Sequence, residues 1–294
     1  MACIIIAGLI TGCADGVSPD LPDLPAVTDS PNRIYWTDDE IEGVKSASLD
    51  GRIVLTLTQG NQDPEGIAVD FGMEMVYWAV ESLLSIRRCE IRDCENTMED
   101  VIVTSGEPDA LTLDAANGRL FWVNKSDASI LGCRIDDCEN TVSEEVAGDV
   151  DGDLKGLVVD GRSGFLYWGD QANLMIRRCA VGTCEATTQT LVGNMGLPKA
   201  LAIDGFNNHL YWTDKVSQKI QRCDLLNCRG TISDIATQLD DPNGITVDGG
   251  RGFLYWGDAT LEGIMYCEIS SCNSTASVFM AGDNMDPEAL ALGP

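Results

Sequence analysis

The chain has 294 residues and carries 47 acidic against 19 basic side chains, a formal net charge of −28. Such a charge repels nucleic acid and anionic membrane surfaces, so neither is expected as a direct partner. Most of the acidity reads as a solvated surface, and the length suits a single domain.

The chain opens on "MACIIIAGLITGC", a short uncharged apolar segment. It is too short to span a membrane and suits the apolar region of a signal peptide, although it lacks the Lys/Arg that usually precede one. Its end, "ITGC", resembles a bacterial lipobox, which implies a signal peptide over 1–12, cleavage before Cys13 and lipid on the Cys13 thiol. An ordinary unstructured start is the alternative. Residues 13–30 are rich in Pro and Asp and read as an extended tether.

From residue 31 to 294 the chain repeats. All 6 tryptophans lie in one motif, at Trp36, Trp78, Trp122, Trp168, Trp212 and Trp256, spaced 42, 44, 46, 44 and 44 residues apart. An aspartate closing an apolar run precedes each of the last five, as in "GIAVD", "ALTLD" and "GITVD". Within each unit, "GIAVD" and "VYWAV" predict two strands, "LSIRRC" a third and "TMEDVIVTS" a fourth. No window keeps a helical period. Four short strands in every unit predict a β-propeller blade, which cannot bury its faces without neighbours. The first unit lacks its inner strand, and "DPEALALGP" (286–294) matches "DPEGIAVDF" (63–71). The expectation is an all-β, six-bladed propeller of four-stranded blades over 31–294, closed by a C-terminal strand that completes the first blade.

With "YWTD" twice, "YWGD" twice, "P-E-G-I-A-V-D" and "SASLDG" in place, the repeats resemble the YWTD, or LDL-receptor class B, family. That resemblance implies a six-bladed propeller that binds a protein or peptide and is not an enzyme. Two units depart from the motif, with "YWAV" and "FWVN", so a contact made by the motif aspartate is in doubt in those blades.

Ten of the 12 cysteines form five identical pairs: Cys89 and Cys94, Cys133 and Cys138, Cys179 and Cys184, Cys223 and Cys228, Cys267 and Cys272. The first unit carries Ala47 and Arg52 instead, losing both members together, as disulfides within a blade predict. Zinc would need four ligands gathered at one point, and a redox role would rest on one activated pair. Each bridge closes a short loop, worth about 2 kcal/mol in the chain-entropy model. Disulfides imply an oxidising compartment, so the expectation is an exported, lipid-anchored, monomeric protein of a bacterial envelope, held to the membrane through the lipid alone.

One residue stands immediately before each inner apolar run: Glu65, Asp109, Lys155, Lys199, Asn243 and Glu288. Inner strands surround a propeller's channel, so these six are expected to ring its mouth, with three contiguous carboxylates facing two adjacent lysines. The dipolar arrangement would favour a peptide carrying both charges; mutual neutralisation within the ring is the plainer outcome. Asp38, Asp39, Asn124, Asp170, Asp214 and Asp258 should share that face. The alternating carboxylates Asp149, Asp151 and Asp153 in "GDVDGD" suit calcium, although Leu154 replaces the glycine of an EF-hand loop and a solvated turn is the plainer reading. No other cofactor and no catalytic constellation is expected. His209 reads as a loop residue, and the serines lack a nucleophile elbow. The alternative function is a metal-dependent propeller hydrolase resembling gluconolactonases, which would require acidic and amide side chains from separate blades to converge at the channel mouth.

Overall fold

The computed structural model describes residues 32–60, 63–147, 152–282 and 285–294. The proposed signal segment, the tether and Cys13 lie outside these residues. Six four-stranded antiparallel sheets stand in a ring. Blade five shows the plan. Its inner strand Pro198–Asp204 pairs with the tryptophan strand His209–Asp214, which pairs with Lys219–Asp224, and Ser233–Thr237 lies outermost. Blades two, three, four and six begin at Pro64, Pro108, Leu154 and Pro242 in the same order.

A blade is buried on both faces, which is why its central strand is apolar throughout rather than alternating. In "HLYWTD", Tyr211 packs with Leu254 and Trp256 of blade six, while Trp212 packs with Tyr167 and Ile176 of blade four. All six tryptophans are at most 1% exposed. The core is therefore six inter-blade layers rather than one central cluster.

Closure follows the sequence expectation. Pro287–Gly293 is the inner strand of blade one, antiparallel to Arg33–Asp38, with Arg33 opposite Gly293 and Asp38 opposite Pro287. Leu290 joins Ile34 and Trp36 in the layer shared with blade six.

The five disulfides pair as expected, with Cα atoms 4.8–5.0 Å apart. A single helical turn follows each closed loop, beginning at its second cysteine as in Cys94–Thr97, and the periodicity did not reveal it. Local bonding explains it: the Thr97 hydroxyl donates to the Asp93 carbonyl at 2.7 Å and accepts from the Glu90 N–H at 2.9 Å. Cys223 and Cys228 are buried among the apolar side chains between blades four and five, so this bridge is also packing material. In blade one a plain turn replaces the bridge, with the Ser48 N–H donating to the Ile53 carbonyl at 2.9 Å.

One further device shapes the centre. Every inner strand slips register against its tryptophan strand near its start, for example between Pro64 and Ile67. Such a bulge bends the strand and re-aims a side chain. The residue following the bulged ring position alternates around the ring: Gly66, Ala110, Gly156, Ala200, Gly244, Ala289. Each glycine receives the next blade's alanine strand. A Cβ on Gly156 would lie 2.8 Å from Ala200 Cα, and one on Gly244 the same distance from Ala289 Cα.

Candidate functional site: the channel mouth

The bulges bring Glu65, Asp109, Lys155, Lys199 and Glu288 to a central cavity of about 300 Å³, lined by all six inner strands. Asn243 is buried beside them, its amide donating to Glu288 Oε1 at 3.2 Å.

The charges do not stand apart as a dipole. Lys155 is ion-paired with Asp109 of the neighbouring blade, and Lys199 reaches past Asn243 to Glu288 at 3.1 Å. Glu65 has no ion pair among the described residues. Its burial, reinforced by Asp109 and Glu288, pushes its carboxyl up to about 8. Burial by itself would lower Lys199, but Glu288 and Asp109 outweigh it and hold the ammonium above its ordinary value. At neutral pH the ring therefore holds two ion pairs, a neutral amide and a protonated Glu65.

Asp39 adds to this lip; although its surface is exposed, partial desolvation and then Glu288 and Asp286 push its carboxyl up from the ordinary value. Carboxylate oxygens of Asp39, Asp286 and Glu288 lie within 4.8 Å of one another. All three belong to blade one, and the Lys199 ammonium already supplies a cation to Glu288. The convergence from separate blades that a hydrolase of the gluconolactonase kind requires is met by Asn243 and Glu288 in the ring rather than by this cluster, and there the Lys199 ammonium occupies the cation position.

A pH prediction follows from Glu65. Its folded-state pKa lies above its unfolded value, so the stability it contributes is complete below about pH 4.5 and is lost as pH rises through about 8. Glu65→Gln is expected to flatten that decline and to stabilise the protein by about 1–3 kcal/mol at pH 9, after a discount for partial exposure. Thermal melts of both proteins at pH 5 and pH 9 check this. Equal losses in the two would show that Glu65 does not carry the effect.

The motif aspartates mainly hold the loops of this face in shape. Asp214 accepts from the backbone N–H groups of Gly196, Leu197, Val216 and Ser217 at 2.9–3.1 Å, tying the strand entry to the strand exit. Asp170 and Asp258 accept from Asn173 and Leu261. Asp38 accepts from the Trp36 indole and Lys45. Where the motif departs, Asn124 still accepts from the Ser126 N–H at 3.3 Å, and Val80 offers no oxygen. The doubt about contacts in blades two and three is thus answered differently in each.

Asp149 and Asp151 lie outside the described residues. Asp153 is described, and its backbone carbonyl accepts from Gln171 at 2.8 Å. His209 sits at the end of blade five opposite the channel mouth.

This is a six-bladed β-propeller whose central face is a partly buried ring of paired charges. Residues 32–71 match the family model of the low-density lipoprotein receptor repeat class B. That match spans one repeat. The fold is similar to a chain in a crystal structure of a nidogen/laminin complex, with a TM-score of 0.76 and 19% identity over 88% of this chain and 97% of that one. No curated protein matches. No helix among the described residues is long and apolar enough to cross a membrane.

Proposed function

We propose that the protein is an exported, non-enzymatic binding module that captures a protein or peptide at the channel mouth, and that lipid on Cys13 anchors it to a bacterial cell envelope as a monomer. The observation that carries the reading is the ring itself. Glu65, Asp109, Lys155, Lys199 and Glu288 are gathered by strand bulges at one central opening, with Asn243 beside Glu288. The disulfides support export. A partner segment with an acidic and a basic group could exchange with the Lys199–Glu288 pair rather than meet bare charges.

Capture from native membranes with the chain beginning at Ala14 identifies the partner, and intact mass of the membrane-extracted protein reports lipid on Cys13. Replacing each ion pair as a unit tests the site, because removing one member would strand a buried charge. The quadruple change Lys155→Met, Asp109→Asn, Lys199→Met and Glu288→Gln is expected to weaken the captured partner by roughly tenfold or more, about 1.4 kcal/mol. Unchanged affinity in a protein that melts normally would place the binding surface elsewhere.

A further inference from the structure

On the face opposite the channel mouth, blades five and six part around a second cavity, of about 440 Å³. Its lining is unlike the rest of this acidic protein: Arg222 and Arg251 face it together with His209, the chain's single histidine. Phe253 supplies aromatic surface, Tyr211 lies buried in the wall behind His209, and the exposed carboxylate of Glu268 stands at the lip.

Local structure holds these groups in place. Asp204, ending the inner strand of blade five, accepts from the Phe206 and Asn207 N–H groups at 3.0 Å and fixes the turn that leads into His209. Asp248 does the same in blade six through the Arg251 N–H at 3.0 Å, and its other oxygen lies 3.4 Å from the Arg251 guanidinium. His209 stands edge-on to Tyr211, with ring centres 6.1 Å apart.

Two groups of the cleft are short of partners, although Arg178 of blade four likewise lies opposite an uncharged residue, Gln189. In blade two, Arg88 pairs with Glu99 at 2.6 Å across the strands. Arg222 occupies the same register in blade five but lies opposite Ser233, so the carboxylate is missing. Its guanidinium donates to Tyr211 Oη at 3.3 Å and makes no ion pair among the described residues. His209 Nδ1 is buried with no hydrogen-bond partner. A buried polar nitrogen left unmatched costs free energy, as does an arginine held in a cleft without an anion.

We infer that this cleft is a binding site for a small aromatic oxyanion, such as an aryl phosphate or sulfate. The guanidinium of Arg222 matches two oxygens of such a group in a fork, with Arg251 and the His209 ring placed to take others. Phe253, half-buried at the wall, offers a face for a flat apolar body, while the buried Tyr211 contributes its hydroxyl to positioning Arg222. The volume is that of a small-molecule site, and the Glu268 carboxylate disfavours extended polyanions. The two most exposed large apolar side chains of the described residues, Leu226 at 89% and Phe206 at 79%, lie on two separate turns at this end of blade five, Phe206 on the turn that leads into His209. The site is independent of the channel mouth, so either assignment can fail alone.

The single histidine gives a direct reading. Proton resonances of the His209 imidazole are followed in the full chain as phenyl phosphate or inorganic phosphate is added at physiological ionic strength. Phenyl phosphate is expected to move them saturably, with a dissociation constant on the order of 0.1–1 mM, and inorganic phosphate to bind roughly tenfold more weakly. Arg222→Met should abolish the shift. Arg222→Lys, which keeps the charge but loses the fork, should weaken binding by roughly tenfold and guards against a misfolded methionine variant. The ring variant of the channel mouth should bind as the parent does. No movement of the resonances at about 10 mM ligand overturns the inference. Equal response to the two phosphates, or full binding by both Arg222 variants, does so too.

Discussion

A chain that stops at Asp286 is expected to lose its cooperative transition altogether, not merely to fray at one end. The missing segment is the inner strand of blade one, and it contacts blades two and six as well as its own sheet. Its loss breaks the pairing from Arg33–Gly293 to Asp38–Pro287, together with the Tyr35 hydroxyl bond to the Pro294 carbonyl at 2.9 Å and the Ala289 N–H bond to Thr37 Oγ1 at 3.1 Å. It also uncovers Ile34 and Trp36, both fully buried, and removes Leu290 and Leu292 from their layer. At about 1.5–3 kcal/mol for each large apolar side chain, the loss approaches the whole stability of a typical domain, about 5–15 kcal/mol. The ring would also gain an open edge. Calorimetry and limited proteolysis of the truncated chain decide the matter. A single sharp melt at the parent temperature would show that closure is not needed.

The second large effect is expected from one methyl group. Gly244→Ala puts a Cβ 2.6 Å from the Glu288 carbonyl oxygen and 2.8 Å from Ala289 Cα, both backbone atoms of the adjoining inner strand. A backbone clash cannot be relieved by a rotamer change, so the two inner strands must separate. The cost should be about 2–3 kcal/mol, a fall of roughly 5–10 °C in melting temperature for a domain of this size. Gly156→Ala should cost more, because Gly156 also holds φ at +52°, which a Cβ disfavours. Ala289→Gly added to Gly244→Ala should recover nothing, since the clashing Glu288 carbonyl and Ala289 Cα are backbone atoms that it leaves in place. Melting temperatures of the four proteins test the order, and an unchanged Gly244→Ala protein would contradict the close approach of the strands.

Much of this was legible in residue order because the blade repeats its constraints. Trp212, Asp204 and Cys223 keep fixed distances because each occupies one place in a sheet sandwiched between two others. The match of 286–294 to 63–71 revealed closure for the same reason. The glycine–alanine alternation is also present in the sequence, but its meaning needs the neighbouring strand's backbone. Side-chain choices at the centre were not readable. The spacing placed Lys155 and Lys199 in the ring, whereas their pairing with Asp109 and Glu288 depends on where bulged strands aim long side chains. The cleft was still less visible: His209, Arg222 and Arg251 come from separate strands and turns and look unrelated until two blades are set side by side.

The closing strand has a mechanical consequence. Arg33 and Gly293 are paired, so the chain enters and leaves the ring at the same end of one strand pair. A pull on the two ends therefore acts across that ladder rather than along it, and loads its hydrogen bonds one after another, beginning at Arg33–Gly293. The closure should open like a zipper under tension instead of resisting as a shear joint. If one end is tethered and a load comes to bear on the other, blade one is where the ring gives way first.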